Sequence, residues 1–517
     1  MDEAPSGWTP PRPELRTPRA STSVLISRDG AAGVEVLLCH RIETLRAFPG
    51  FWALPGGGVS ARDAKAAGML TSRFSSISPG MRPAAAALLR EVVEEIGWSV
   101  SESGVEPTSQ EQRLAVLEQA DAWLQAVRSG DIGCSPDGLS HIATRTTPAI
   151  APLRFENVFW HLHEATGTVE PSPLEHRSEF DEMRWLTPAA ALAAWRDDGM
   201  RLPPPVVTLL RDFDAALAEA GGEVSAAAAA LAADPGVGSH RIEFAPGVEC
   251  VPLPTTTLPP STHTNCYILG EAGGQRIVVD PAARTPEALA ILEDRILEVI
   301  ADGGDVIATV YTHRHGDHIG DLPRIAEIYK APIWATAETH TVIPECDRDR
   351  VIVDGDELSV GGPSGGVSWR VLQTSGHCPG HICLASEVGV VSADLVATVG
   401  TILVPSSDGD MARYLKDLEN IRSLRPSMLF PAHGLYSAEP DELLQRYIRH
   451  RSGRHRQVLE AVKAGCTKVD SIAEEAYADS PDADMHLAAD QTISHLKAHE
   501  AAGDIQRFGD QWRPAAD

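Results

Sequence analysis

Short apolar runs, broken by Gly, Pro and charged residues, divide this chain into three blocks. In the first, TSVLISRDGAAGVEVLLCHR (22–41) alternates apolar and polar positions around an Asp-Gly, which predicts two strands and a turn. RFENVFWHLHEA (154–165) predicts another strand, and LTPAAALAAW (186–195) a helix with Pro188 in its first turn. The Ala-rich stretch 218–240 predicts a short helix and a linker that breaks at Asp234-Pro235-Gly236. Beyond it, β-rich runs (QRIVVD, DVIATVYT, SWRVLQTSG, GVVSADLV) alternate with helical stretches, an α/β or α+β pattern. From 441 to the end the pattern predicts three helices and a terminal hairpin.

Length and charge sharpen this picture. At 517 residues the chain is too long for one core and predicts about three domains. No apolar run approaches a membrane span, so no membrane partner is expected. The Pro-rich stretch 1–20 has no apolar core of a signal peptide and is expected to be a disordered tail. Eight scattered cysteines without a CxxC pair fit a reducing compartment, so a cytoplasmic location is expected. Forty-four basic against 72 acidic residues leave a formal charge of −28, which disfavours RNA as a partner and leaves small anionic molecules bound at local sites.

The densest chemistry is VYTHRHGDHIGD (310–321). His313 and His315 alternate around Arg314 at a strand end, and Asp317 and His318 follow a Gly that lets the chain turn. One set of nitrogens lies beside one of nitrogen plus carboxylate, a donor choice that suits zinc. Further polar residues end later strands: Asp280, His377, Asp394 and His433. In this order the pieces resemble the metallo-β-lactamase superfamily over roughly 240–440. The resemblance implies that His313, His315 and His377 hold one zinc ion and Asp317, His318 and His433 a second, with Asp394 bridging, Asp317 also catalytic, and Asp280 orienting the ligand loop from behind. It assigns no ligand role to His381 or Cys378, which are expected to be structural; His263 is expected either to line the pocket or to sit in a turn. Such a pair of ions would supply metal-bound hydroxide to an ester, thioester or phosphodiester.

A second acidic site is written in WALPGGGVSARD (52–63) and AAAALLREVVEEIGW (84–98). On a helix, Glu91, Glu94 and Glu95 share one face, where like charges repel by roughly 0.2–0.5 kcal/mol per pair unless a cation joins them. With Gly57 upstream and Gly97 at the helix end, these residues resemble the Nudix box, although 26 residues separate Asp63 from Arg90 where the standard box has a much shorter spacer. The insert is similar to that of the coenzyme A diphosphatase branch. The resemblance implies Mg²⁺ or Mn²⁺ held by Glu91, Glu94 and Glu95, with Glu91 and Glu95 catalytic, Arg90 orienting a glutamate, and a nucleoside-diphosphate-linked or coenzyme A substrate.

Residues 446–456 hold five Arg and no acid, a face either solvated or able to touch phosphate. The tail resembles the winged helix that follows the catalytic domain in β-lactamase-like, endoribonuclease-related proteins, and is expected to shape the pocket or a homodimer contact. The resemblances together imply a multidomain α/β and α+β chain: tail 1–20, Nudix α/β/α sandwich 21–217, linker 218–240, metallo-β-lactamase αββα sandwich 241–440 and winged helix 441–517. The expected function is a bifunctional metal-dependent hydrolase. The alternatives are an endoribonuclease at the zinc site, or one domain that senses a ligand without catalysis.

Overall fold

The computed structural model describes residues 15–515 apart from 46, 120, 166, 168, 198, 239 and 345–349. Most of the tail expected at 1–20 lies outside the described residues, and a strand already begins at Arg19. The chain is mixed α/β and parts into two compact units.

In the unit formed by Arg16–Pro148 and Leu153–Pro246, Arg19–Gly30 is the middle of an eight-stranded sheet, parallel to Phe155–Glu164 and antiparallel to Gly33–Arg41. Alternation decides the faces. Val24, Ile26, Leu37 and Cys39 pack on one side with helix Arg82–Ile96, while Leu25, Val36 and Leu38 pack on the other with helix Pro204–Glu219. The sheet is thereby covered on both faces. The insert between Asp63 and Arg90 forms the rest of helix Ala61–Met69, a short 3₁₀ turn at Pro79–Met81 and the first turns of helix Arg82–Ile96, anchored by the fully buried Phe74.

The segment expected to act as a linker is part of this fold. Helix Val224–Ala233 buries Val224 and Ala227 beside Leu210 and Phe213, and Gly236–Gly238 adds an edge strand to Ser140–Thr146. Alanine at successive turns leaves a surface small enough for close packing, which composition alone reads as low complexity.

The unit containing Gly247–Asp517 is built on two β-sheets. One sheet runs through Val248–Pro254, His263–Leu269, Gln275–Val279, Asp305–Val310, Ile333–Ala335 and Arg350–Val351. The other runs through Glu357–Val360, Val367–Gln373, Ile382–Ser386, Gly389–Ala393 and Leu429–Pro431. Asn265 ties them together: its backbone N–H donates to Ala432 O at 2.8 Å and its amide to Pro431 O and Gly434 O. Helix Pro286–Ala301 covers the first sheet and Met411–Ser423 the second.

The three C-terminal helices (Pro440–Lys463, Val469–Ala476, Met485–Ala502) and the hairpin Ile505–Phe508/Gln511–Pro514 fall within the same compact unit. One continuous helix explains this. Leu443, Leu444 and Tyr447 pack into the core of the second sheet, while Val458, Ala461 and Val462 of the same helix pack with Ile505 and Trp512. The Arg-rich run is therefore not a uniform solvated face. Arg451 and Arg454 are buried and donate to the carbonyls of Ile402 and Ala476. Among the described residues, no helix is long and apolar enough to cross a membrane.

Candidate metal centre and a second acidic site

Strand Asp305–Val310 delivers its chain to one end of the sandwich, where a short helical turn, Gly316–Ile319, folds Asp317 and His318 back beside His313 and His315. His377 arrives from the turn after Val367–Gln373, Asp394 from the end of Gly389–Ala393, and His433 from the end of Leu429–Pro431. All seven side chains are buried. Ligand atoms of His313, His315 and His377 lie within 4.8 Å of one another, as do those of Asp317, His318 and His433. Asp394 stands between the two groups: its carboxylate is 3.5 Å from His318 Nε2, 3.8 Å from His377 Nε2 and 3.3 Å from His433 Nε2.

Remote contacts aim these rings. His377 Nδ1 donates to Leu403 O and His433 Nδ1 to His263 O, both at 2.9 Å, so each Nε2 is left to face the cluster. Asp280 sits behind the ligand loop and accepts from His318 Nδ1 (2.8 Å), Thr312 N (2.8 Å) and Thr312 Oγ1 (2.6 Å). It holds this position at φ 48°, a left-handed conformation unusual for a non-glycine residue. His263 contributes its carbonyl, at the start of a strand. His381 is buried but serves the backbone: it takes a hydrogen bond from Asp394 N at 3.1 Å. Cys378, expected to be packing alone, lies with its sulfur inside the same 4.8 Å group as His313, His315 and His377.

Electrostatics expose an imbalance. Burial lowers the pKa of His318, but Asp394 and Asp280 outweigh it and hold the ring well above its ordinary value. His433 behaves alike: against burial, Asp394 and then Asp317 carry it up to about 9. Burial and the neighbouring rings of His318 and His315 push His313 well below its usual range. His313 Nε2 is buried without a hydrogen-bond partner, and His318 Nε2 and Asp394 Oδ1 have only ion-pair contacts of 3.5 and 3.3 Å, so all three are under-satisfied. Leaving such atoms unsatisfied costs on the order of 1–3 kcal/mol each. A divalent cation with mixed nitrogen and oxygen ligands answers all three, so the residues present fit a metal such as zinc.

The acidic site lies on helix Arg82–Ile96, ended by Gly97 at φ 76°. Its three glutamates do different things. Glu94 is taken by Arg90 (3.0 Å) and Arg62 (3.3 Å), and Arg90 also grips Asp63 and Glu91. Glu95 Oε2 accepts from Gly56 N at 2.7 Å. A Cβ at Gly57 would stand 2.4 Å from Glu91 Oε1, so the glycine is what allows this carboxylate to approach the loop. Burial, opposed by Arg90 and aided by Glu94, lifts Glu91 to about 7. Burial and then the charge of Glu91 lift Glu95 well above the usual carboxylate range. The three carboxylates expected as a common ligand set are not gathered as the histidine sets are; Glu95 takes Gly56 N, while Glu91, beside Gly57, shares Arg90 with Glu94. Beside Gly56–Gly58 opens a cavity of about 310 Å³ whose walls include Phe48, Phe159, Arg41 and Arg145.

Comparison with known proteins addresses the histidine-bearing region most directly. Residues 260–433 match the sequence model of the Metallo-beta-lactamase superfamily, and this stretch is a metallo-beta-lactamase domain. The "Beta-lactamase-like protein 2 homolog" of Drosophila melanogaster is 28% identical over 211 residues, 38% of this chain and 67% of that protein. The "Atrochrysone carboxyl ACP thioesterase" of Aspergillus fumigatus is 31% identical over 203 residues, 39% of this chain and 60% of that protein. Among solved structures, a beta-lactamase domain protein from Burkholderia ambifaria aligns with 53% of this chain and 93% of its own at 21% identity and a TM-score of 0.46. A NUDIX hydrolase from Alicyclobacillus acidocaldarius aligns with 38% of this chain and 92% of its own at 25% identity and a TM-score of 0.34.

Proposed function

We propose that the chain is a bifunctional metal-dependent hydrolase with a di-zinc centre in its metallo-beta-lactamase domain and a Mg²⁺- or Mn²⁺-dependent Nudix site upstream. The observation that carries the zinc reading is the buried cluster in which His313 Nε2 has no hydrogen-bond partner and His318 Nε2 has only the 3.5 Å contact to Asp394. His313, His315 and His377 would hold one ion, and Asp317, His318 and His433 the other, with Asp394 between them. When bound, such ions supply Lewis acidity and lower the pKa of coordinated water to about 7. Asp317, 3.8 Å from His433 Nε2, would take a proton from attacking water. His377 and His433 each give Nδ1–H to a backbone carbonyl, which fixes the ring with Nε2 toward the cluster. Similarity to a protein named as an acyl carrier protein thioesterase favours a thioester substrate.

In the upstream unit, burial and then the charge of Glu91 raise Glu95 beside a glycine loop, a repulsion that a hard cation relieves. Arg90 holds Glu94 and steadies the cluster. The adjoining cavity offers aromatic walls and two arginines, which suits a diphosphate-linked nucleotide or coenzyme A derivative. We read the C-terminal helices and hairpin as a winged helix that supports the zinc site. Incubation with acyl-coenzyme A, ADP-ribose and dinucleoside polyphosphates, with products separated by mass, tests the assignment. Zinc-dependent release of free thiol and magnesium-dependent cleavage of a diphosphate are expected. Turnover of neither bond type by metal-loaded protein would overturn it.

A further inference from the structure

Four polar residues on one face of helix Met485–Ala502, at positions 490, 491, 494 and 497, hydrogen-bond to the segment 402–408. Gln491 is 5% exposed and Ser494 2%. Gln491 Nε2 donates to Val404 O at 2.7 Å, and its Oε1 accepts from Val404 N at 3.2 Å and from Arg451 Nη1 at 2.8 Å. Because a guanidinium can only donate, Arg451 fixes which way the amide points. Ser494 Oγ adds a second donor to Val404 O at 2.8 Å, and Arg451 reaches on to Ile402 O. Two residues further along, Ser406 is held by Asp490 and by Lys497 Nζ, which donates to Ser406 O at 2.6 Å. The strap held this way bears on the metal centre at two points. Leu403 O receives His377 Nδ1, and Asp408 pairs at 2.6 Å with Arg314, the residue between His313 and His315.

We infer that Gln491, with Ser494 and Arg451 in support, is a positioning residue for His377: it fixes the Leu403 carbonyl, and through it the tautomer and aim of the imidazole. This rests on the reading of His377 as a metal ligand, and it assigns the C-terminal helices a task in the hydrolase that packing alone would not require. An apolar side chain could have filled the buried positions 491 and 494. A helix meant only to cover the core needs no amide whose three hydrogen bonds all end on one loop or on the arginine that shares it.

The test uses the full chain labelled with ¹⁵N-histidine, read by long-range ¹H–¹⁵N spectra in the metal-free state, with His377 assigned from the His377→Gln spectrum. In the parent protein, His377 is expected wholly as the Nδ1–H tautomer. In Gln491→Met, of similar length but without the amide, it should become a mixture with the Nε2–H form, and affinity for one of two zinc or cobalt ions should fall ten- to hundredfold. Ser494→Ala, which removes one of two donors to Val404 O, should shift His377 in the same direction by less. Should Gln491→Met fail to fold, Ser494→Ala combined with Lys497→Met takes its place. A folded variant with an unchanged His377 spectrum overturns the inference. If the parent protein shows the locked tautomer but takes up no divalent ion, the metal reading fails while the strap stands, so the two failures are told apart.

Discussion

Arg90 holds both oxygens of Asp63, through Nε at 2.7 Å and Nη2 at 3.2 Å, although 26 residues of insert lie between them. The insert returns Asp63 as the third residue of a new helix whose N-cap, Ser60, shares the same carboxylate in a capping box. Asp63 thus ends one helix start and neutralises the arginine on the next, with 0% and 3% of the two side chains exposed. Asp63→Asn keeps the shape and removes the charge. Breaking a buried pair costs about 3 kcal/mol, toward the low end here because Glu91 and Glu94 remain on Arg90. A fall of that size in the urea-denaturation free energy of the upstream unit is expected, with zinc uptake downstream unchanged.

The two sites were legible in the sequence to different degrees. His313, His315, Asp317 and His318 sit within six residues at a strand end, so local spacing alone brings them together, and the structure gathers them with His377, Asp394 and His433. The glutamates share a helix face by spacing, but spacing does not say what meets that face; Arg62, on the helix that leads into the insert, reaches Glu94 together with Arg90. Composition misread 218–240 for a related reason. Runs of alanine carry no strong periodicity, yet Ala227 is fully buried between helix and sheet. Nor did pattern show that Arg451 turns inward to serve backbone carbonyls, since an arginine on a helix reads the same whether its partner is water or a loop.

Metal uptake should expel protons. In the metal-free protein, Asp394, Asp280 and Asp317 keep His318 well above its ordinary pKa and His433 at about 9, so both rings are cationic near neutrality. A cation can bind their Nε2 atoms only after those protons leave. Zinc titrated into weakly buffered protein at pH 7 should therefore release on the order of two protons, and fewer as the pH passes about 9, read with an indicator dye. Release that does not change between neutral and alkaline pH would refute this account.

Acid should weaken the upstream unit through His161. Burial, with a smaller contribution from His163, depresses this ring to about 4, and its Nε2 shares a 2.8 Å hydrogen bond with the Ser27 hydroxyl. The unfolded chain, with an ordinary histidine pKa of roughly 6.5, takes up the proton first as pH falls. The contribution is therefore complete above about 6.5, is lost progressively down to about 4, and amounts to about 3 kcal/mol across that window. His161→Gln keeps a hydrogen-bonding side chain and cannot titrate. Its denaturation midpoint should drop less between pH 7 and pH 5 than that of the parent protein, and equal drops would show that other groups govern the acid limb.

Separate chemistry should permit separate loss. In the proposed reading, the imidazole-rich set His313, His315, His318, His377 and His433 would select zinc, whereas the carboxylates Glu91 and Glu95 would prefer Mg²⁺ or Mn²⁺. Each set is built on its own core: the histidines on the two sheets of the metallo-beta-lactamase domain, the glutamates on a helix packed against the eight-stranded sheet. His315→Ala removes one of three nitrogens from the first zinc group without touching the upstream core. It should abolish zinc-dependent hydrolysis, reduce bound zinc from about two ions per chain and leave magnesium-dependent cleavage within error of the parent. Glu95→Gln removes the charge that opposes Glu91 while an amide oxygen can still accept from Gly56 N, so the fold should persist and only the magnesium-dependent reaction should be lost. Mild EDTA followed by dialysis should reproduce the first pattern, and readdition of zinc alone should reverse it. A single folded substitution that silences both reactions would show that the two sites act as one, and the two-enzyme reading would fall.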